Sequence, residues 1–347
     1  MSHARTTSFH ESSREKCLPA PRRRRRLLLR GCRQALAVLL CAVGAVTAAH
    51  AWPTKPLRLV VSFSPGGLAD VMVRLLQPQL AEALGQPVLI DNRSGASGNL
   101  AADLVVKGGD GHSFLVTTST VESVNPYMFS SMSFDPGKDL VHVALLANSR
   151  LFLVTRPDLP PRDLKAFVQH ARAHPGKLSY GSPGTGSTPH LAAEIFKQAA
   201  GIVATHAPYR GAQPVLQDLL SGQIDYAFVP GTALTWVRGG KLRLLAVVGP
   251  ARVPEAPDTP TFAEQGLGDV AVDTLFGIYG PAGTPPQVVD RLNGEINKLL
   301  AQPSIKLRFA ELGAEPLPAS PAAFKSAVQA EALRFAAVVK AANIKAD

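Results

Sequence analysis

Two short runs of glycine and hydroxyl residues carry the chemistry this sequence offers. The first is Ser64-Pro65-Gly66-Gly67, which closes the apolar run Leu57 to Phe63 and opens onto Leu68-Ala69-Asp70. The second runs from Gly181 through Ser182, Gly184, Thr185, Gly186, Ser187 and Thr188 to Pro189 and His190. Each reads as a strand delivering a glycine turn to the start of a helix, with Thr188 as N-cap and Pro189 as the first helical residue of the second. Without Cβ atoms, Gly66 and Gly67 let a ligand approach the main chain, and the unpaired N–H groups of the first helical turn point outward at an anion. Ser182, Ser187 and Thr188 add hydroxyls, and Gly186 opens the backbone beside them. One such loop would pass as an ordinary turn. Two with the same grammar and little fixed positive charge suit a carboxylate held by hydrogen bonds. A helix N-terminus contributes roughly 0.3–1 kcal/mol to an exposed anion and up to about 2 in a sheltered one. Several donors acting together in a dry site can therefore reach micromolar affinity, about −8 kcal/mol.

Other chemistries fail on spacing. Gly181 to Thr188 spells a phosphate loop with Ser187 where lysine must stand, and no third glycine completes a dinucleotide fingerprint. After residue 51 there is no Gly-x-Ser-x-Gly elbow and no His-Glu-x-x-His pair. The chain is therefore expected to be no enzyme and to need no cofactor or metal. His170 and His174 are one helical turn apart, but Pro175-Gly176 ends that helix, which suits two exposed histidines near a C-terminus. His190 and His206 read as supports of the second loop, with a ligand role as the alternative. Asp70 reads as a dipole or capping residue; in a carboxylate site it would fix a water or a ligand's amino or hydroxyl group. If the strands are parallel, Ser119 and Thr120 reach the same cleft, as does the Val229-Pro230-Gly231 turn. So does Tyr209, either as a wall with a hydroxyl or as a half-buried packing residue.

The composition sharpens once it is located. Of 36 Lys and Arg and 26 Asp and Glu, ten and two lie in residues 1–51, leaving a nearly balanced 26 against 24 beyond them. The net charge of +10 thus belongs mainly to the leader, and nucleic acid is not an expected partner. That leader has a basic stretch around Arg22 to Arg26, an apolar stretch from Ala35 to Ala48 and the small-residue site Ala49-His50-Ala51. It reads as a secretory signal peptide cleaved after Ala51, with an apolar core shorter than the roughly 20 residues a bilayer span needs. The twin-arginine and lipoprotein patterns both fit poorly. Cys17, Cys32 and Cys41 all fall within it, so the exported chain has no thiol for disulfides, metals or nucleophilic attack.

Strand-like and helix-like segments alternate from Leu57 to Val248, which implies an α/β fold with mainly parallel sheets covered by helices. Three helical patterns close the chain: Pro285 to Leu300, Ser304 to Leu312 and Pro321 to Ala342.

Several stretches together resemble the Bug (TctC-like) family, the extracytoplasmic solute receptors of tripartite tricarboxylate transporters. They are Pro56 to Asp70, Gly85 to Asp103, Phe134 to Leu140, Ala207 to Gly211 and Ala282 to Pro285, and the resemblance runs from Trp52 to the last helix. It implies a periplasmic-binding-protein type II fold: two α/β lobes, residues 52–150 plus 274–347 and residues 151–273, with a ligand cleft between them. It further implies a periplasmic monomer that binds a small carboxylate or amino-acid-like ligand at Gly66, Gly67 and Asp70 on one lobe and Ser182, Gly186, Ser187 and Thr188 on the other. The receptor would then dock on the membrane subunits of its transporter, or in the alternative present its ligand-bound form to a sensor kinase. Two departures bear on the ligand: Val121 and Glu122 stand where the family carries a Thr-His pair, and a carboxylate there would repel a second ligand carboxylate unless turned away or paired.

Overall fold

A computed structural model describes residues 52–346, except 269, 271 and 273. The leader read in residues 1–51 lies outside the described residues.

Among the described residues, eleven strands form two sheets. Strands β1 (Leu57–Val61), β2 (Val88–Asn92), β3 (Ser113–Thr118) and β4 (Leu140–Ser149) belong to the first, and β5 (Leu151–Thr155), β6 (Leu178–Ser182), β7 (Ala204–Pro208), β8 (Tyr226–Pro230) and β9 (Arg243–Val247) to the second. The chain then returns to the first sheet through β10 (Thr274–Pro281) and β11 (Ala314–Pro316). The first sheet runs β11-β4-β10-β3-β1-β2 and the second β7-β6-β8-β5-β9. Both share one plan: three parallel strands, with the first in sequence flanked by the other two, then one strand that has just crossed from the opposite sheet.

The crossing strands refine the expectation of parallel sheets. β10 pairs antiparallel with both β3 and β4, and β5 antiparallel with both β8 and β9. Each arrives from the other sheet rather than through a covering helix, so nothing obliges it to run with its neighbours. β4, β7 and β10 are strands that the alternation of apolar segments does not reveal. In β4 and β10 most residues are buried, so they lack the period-two signal of a half-exposed strand.

Apolar packing closes each layer. Around the second sheet, Phe167, Phe196, Phe228 and Phe262 stack with Tyr180 and Tyr226. The long C-terminal helix, Pro321–Ala341, lies on β4 and also reaches the Thr188–Ala200 helix of the other sheet. Its Phe324 ring is fully buried against Gly277 of β10, so close that a Cβ there would lie 2.1 Å from Cζ.

Between the sheets the backbone itself makes a tight contact. A Cβ on Gly231, just after β8, would lie 2.4 Å from Gly313 Cα and 2.9 Å from Leu312 O. Gly313 precedes β11 and adopts φ +67°. Pro230 pairs with Leu151 and Ala314 with Ser149, so this contact flanks the Ser149 to Leu151 crossing.

Candidate functional site

The first glycine loop is held from behind. The Leu68–Leu84 helix has Gly67 as its N-cap, with φ −71° and ψ 164° and no side-chain cap. Asp70, the third helical residue, turns back: its carboxylate accepts the Gly66 N–H at 2.9 Å, Arg74 Nε at 2.9 Å and Asn92 Nδ2 at 3.0 Å. Asn92 Nδ2 also donates to Phe63 O at 3.0 Å, so one partly buried cluster around Asp70 fixes both ends of the loop. Burial alone would raise the Asp70 pKa; the hydrogen bonds from Arg74, Gly66 and Asn92 outweigh it and hold the carboxyl below its usual value.

The second loop is braced by neutral side chains. The N-cap of the Thr188–Ala200 helix is Ser187, not Thr188, which is already helical; Pro189 stands second, where its missing N–H costs nothing. Ser187 Oγ does not cap the helix but donates to Gly184 O at 2.6 Å. The Gly186 N–H donates to His190 Nδ1 at 3.0 Å, so the proton of that imidazole sits on Nε2. Ser182 Oγ lies 2.7 Å from His206 Nε2, and the two imidazoles stack with centroids 4.0 Å apart. Burial drives both histidines down, His190 to about 3 with help from His206 and Lys197, His206 to about 4. Both are therefore neutral near pH 7.

These loops meet across the two sheets. Ser64 Oγ donates to Arg210 O at 2.6 Å, Gln213 Nε2 to Gly66 O at 3.0 Å and Ser97 Oγ to Thr185 O at 2.6 Å. Thr188 Oγ1 and Thr274 Oγ1 lie 2.7 Å apart. Beside these contacts lies a pocket of about 60 Å³, bordered by Gly67, Leu68 and Ala69 on one side and Ser187, Thr188 and Pro189 on the other. Leu68 and Ala69, and across from them Thr188, are first-turn residues whose N–H groups have no intrahelical partner. A larger outer pocket of about 540 Å³ adjoins it, the two sharing Phe63, Thr118, Pro183 and Ser187.

The residues singled out by sequence separate into three sets. Gly67, Ser187 and Thr188 line the inner cavity; Thr120, Tyr209 and again Ser187 line the outer pocket. Gly66, Asp70, Ser119, Ser182 and Gly186 line neither; Gly66 is exposed and the other four are buried behind the wall. The Gly66 and Gly186 N–H groups are already used by Asp70 and His190, and the Ser119 N–H donates to Leu275 O at 2.9 Å. Tyr209 is half-buried, and its hydroxyl donates to Asp218 at 2.6 Å; burial first, then that carboxylate, push its pKa up to about 12. Glu122 does not face the cavity. Its Oε2 lies 2.9 Å from His142 Nε2, an ion-pair distance without hydrogen-bond alignment, and it borders a separate surface pocket. His170 and His174 pack with centroids 4.5 Å apart, tilted by 36°, and no group of metal-ligating side chains occurs among the described residues.

Sequence reasoning misses Ser149, Leu151, Thr274 and Phe276, which all line the cavity. A signal existed: they stand where the chain passes between sheets, at the β4–β5 junction and at the start of β10, and a cleft between two sheets is lined by its crossings.

Comparison with known proteins agrees with this architecture. Residues 72–344 match the family described as Tripartite tricarboxylate transporter family receptor, TctC. Protein BugT of Bordetella pertussis is 33% identical over 307 residues, covering 87% of this chain and 94% of its own. The structure of R. palustris Rpa4515 with adipate superposes with a TM-score of 0.82 at 35% identity, covering 85% of this chain and 99% of that one. MatC (Rpa3494) from Rhodopseudomonas palustris with bound malate gives 0.79 at 32% identity, covering 83% and 100%. Among the described residues no helix is long and apolar enough to cross a membrane. With most of its length matched by the family and both sheets shared with solved receptors, the chain belongs to the TctC family of solute receptors and has the α/β fold of its periplasmic binding proteins.

Proposed function

We propose that this protein is a periplasmic receptor that captures a small organic acid and delivers it to the membrane subunits of a tripartite tricarboxylate-type transporter, without transforming it. The observation that carries this reading is the pairing of two helix starts, Leu68–Leu84 and Thr188–Ala200, across one pocket with no charged side chain in its lining. Main-chain N–H groups and hydroxyls can hold a carboxylate there, and exclusion of water strengthens each bond. Gly67, Ser187 and Thr188 touch the ligand in this reading; Gly66, Asp70, Ser182 and Gly186 position the loops. Residues 52–150 with 274–347 form one lobe and residues 151–273 the other, and the ligand enters when they part. The exported chain begins at Trp52, and the adipate and malate bound by its relatives support a carboxylate as the solute.

Titration calorimetry of residues 52–347 with a panel of carboxylates tests the site. Ser187→Ala removes the hydrogen bond that fixes Gly184 and is expected to cost about 1 kcal/mol, roughly a fivefold loss of affinity. Unchanged binding by this variant would place the site elsewhere. Delivery is tested by deleting the gene: lost uptake of the bound acid supports it, whereas intact uptake with a lost transcriptional response assigns the protein to a sensor kinase.

A further inference from the structure

Two elements carry buried residues from the core of one sheet into that of the other. The Pro321–Ala341 helix places Phe324 and Val328 in the apolar cluster of the first sheet, and Phe335 and Val339 in that of the second. The stretch after β3, built from the short helices Thr120–Ser123 and Asn125–Met128, divides in the same way: Val121 lies in the first cluster, Val124 and Met128 in the second. By chain position this stretch belongs to the lobe of residues 52–150. Its end is packed in the other.

That end stands against the second glycine loop. A Cβ on Gly186 would lie 2.3 Å from Met128 Sδ, 2.4 Å from Met128 Cε and 3.4 Å from Val124 Cγ1. The face of Gly186 that Met128 covers must therefore stay bare, and the φ of +76° suits glycine as well. Met128 is itself held in place. It is 3% exposed, and its carbonyl accepts the Ala346 N–H at 3.2 Å, which ties the last described residue back to it.

The same stretch also grips the residue before Gly186. Asn125 is fully buried, and its Nδ2 donates to Ser97 O at 3.1 Å and to Asn99 Oδ1 at 2.7 Å. Ser97 Oγ in turn donates to Thr185 O at 2.6 Å. Thr185 and Gly186 are thus fixed from the first lobe by Ser97 and Met128, while His190 holds the Gly186 N–H from within the second. Ser187 and Thr188, the next two residues, line the inner pocket. A glycine just before them has wide backbone freedom, so the contacts that restrict it set where those two residues lie.

We infer that Met128 is a positioning residue for the solute: it lines neither pocket, but by pressing on Gly186 it fixes Ser187 and Thr188 opposite the start of the Leu68–Leu84 helix. This rests on the carboxylate reading of the two loops given above. The unbranched thioether suits the task, because it fills an irregular gap against bare backbone.

The test uses residues 52–347 and three variants. Met128→Ala removes the contact, with Met128→Val as the milder truncation should the alanine variant not fold; Met128→Leu nearly conserves volume. Leu164→Ala is the control: it opens a void in the same apolar cluster from the Leu164–Ala173 helix, and Leu164 lines neither pocket. Amide hydrogen exchange needs no ligand. Met128→Ala should speed exchange at Gly186 by at least about tenfold relative to Phe196 in the middle of the Thr188–Ala200 helix, one step of 1.4 kcal/mol in local opening. Leu164→Ala should leave that ratio unchanged, and Met128→Leu should restore it to within about threefold. An unchanged ratio in Met128→Ala, or the same rise in Leu164→Ala, reduces Met128 to core packing and overturns the inference. Calorimetry with acetate, succinate, malate and adipate then reads the site. Each acid that the wild type binds should bind Met128→Ala about tenfold more weakly and Leu164→Ala as it binds the wild type. Undiminished affinity in Met128→Ala overturns the inference and leaves the carboxylate site standing. A wild type that binds none of the four acids overturns the carboxylate reading, and the solute role of Met128 with it.

Discussion

Gly231→Ala is expected to lower both stability and ligand affinity, although the new side chain is a single methyl group far from any charge. The backbone at Gly231 is not left-handed, so alanine meets no conformational objection there. The cost comes from space: the methyl would lie 2.4 Å from Gly313 Cα and 2.9 Å from both Gly313 N and Leu312 O, main-chain atoms that cannot swing aside. Overpacking of this kind typically costs about 1–3 kcal/mol. In a chain of this size about 2 kcal/mol lowers the melting temperature by roughly 4–8 °C. Because the contact flanks the Ser149 to Leu151 crossing, relief by backbone movement separates the β8 and β11 ends, and Pro230 and Ser149 of the cavity wall move with them. Gly313→Ala provides the comparison. It meets the same wall, with a Cβ 2.5 Å from Gly231 Cα, and must also hold φ +67°, which adds about 1 kcal/mol. Thermal melts that rank the wild type above Gly231→Ala above Gly313→Ala are the expected outcome. A Gly231→Ala protein that melts with the wild type would show that the two strand ends part freely.

The second large effect belongs to Asp70. Asp70→Asn keeps the shape but presents an amide where three donors converge, Gly66 N–H, Arg74 and Asn92. One of them is left facing another donor, at a cost of about 2–3 kcal/mol for a buried site with a charged partner. The pH dependence separates this from a packing defect. With its folded pKa below the usual 3.8, the Asp70 carboxylate contributes stability fully above that value, and the contribution fades as pH falls below 3.8 toward the folded pKa. Denaturant melts should therefore show a gap between wild type and variant that is constant from neutral pH down to about 4 and narrows below it. A gap that persists undiminished in acid would mean that the charge of Asp70 is not what holds the loop. Ligand affinity should fall in the variant as well, through the Gly66-Gly67 turn rather than through any contact with the solute.

The two predictions also mark what a single sequence discloses. The glycine loops were legible because glycine, serine and threonine at a strand-to-helix junction encode a local property, open backbone beside unpaired N–H groups. β1, β3 and β6 were legible as apolar runs before those junctions. The partners of Asp70 were not. Asn92 reaches it because β1 and β2 pair in a register that sets Val61 beside Asn92, a relation spanning some thirty residues with no local trace. Thr274 and Phe276 stayed hidden for the same reason, since a strand that crosses between sheets carries no mark of where it will lie. Glu122 shows a choice the sequence left open, whether it faces the cleft or is turned away and paired. Read along the chain it stands two residues beyond Thr120 and invites a role in the cleft, but the short Thr120–Ser123 helix turns it toward His142, away from the cavity.

The stacked His190 and His206 imidazoles have a use beyond bracing a loop. With both neutral down to about 4 and Asp70 ionised until lower still, none of these supports changes charge between mild acid and neutrality. Whatever proton dependence the affinity shows in that interval then does not arise from these three supports. A binding curve followed against pH is therefore not distorted by the groups that hold the two loops in shape.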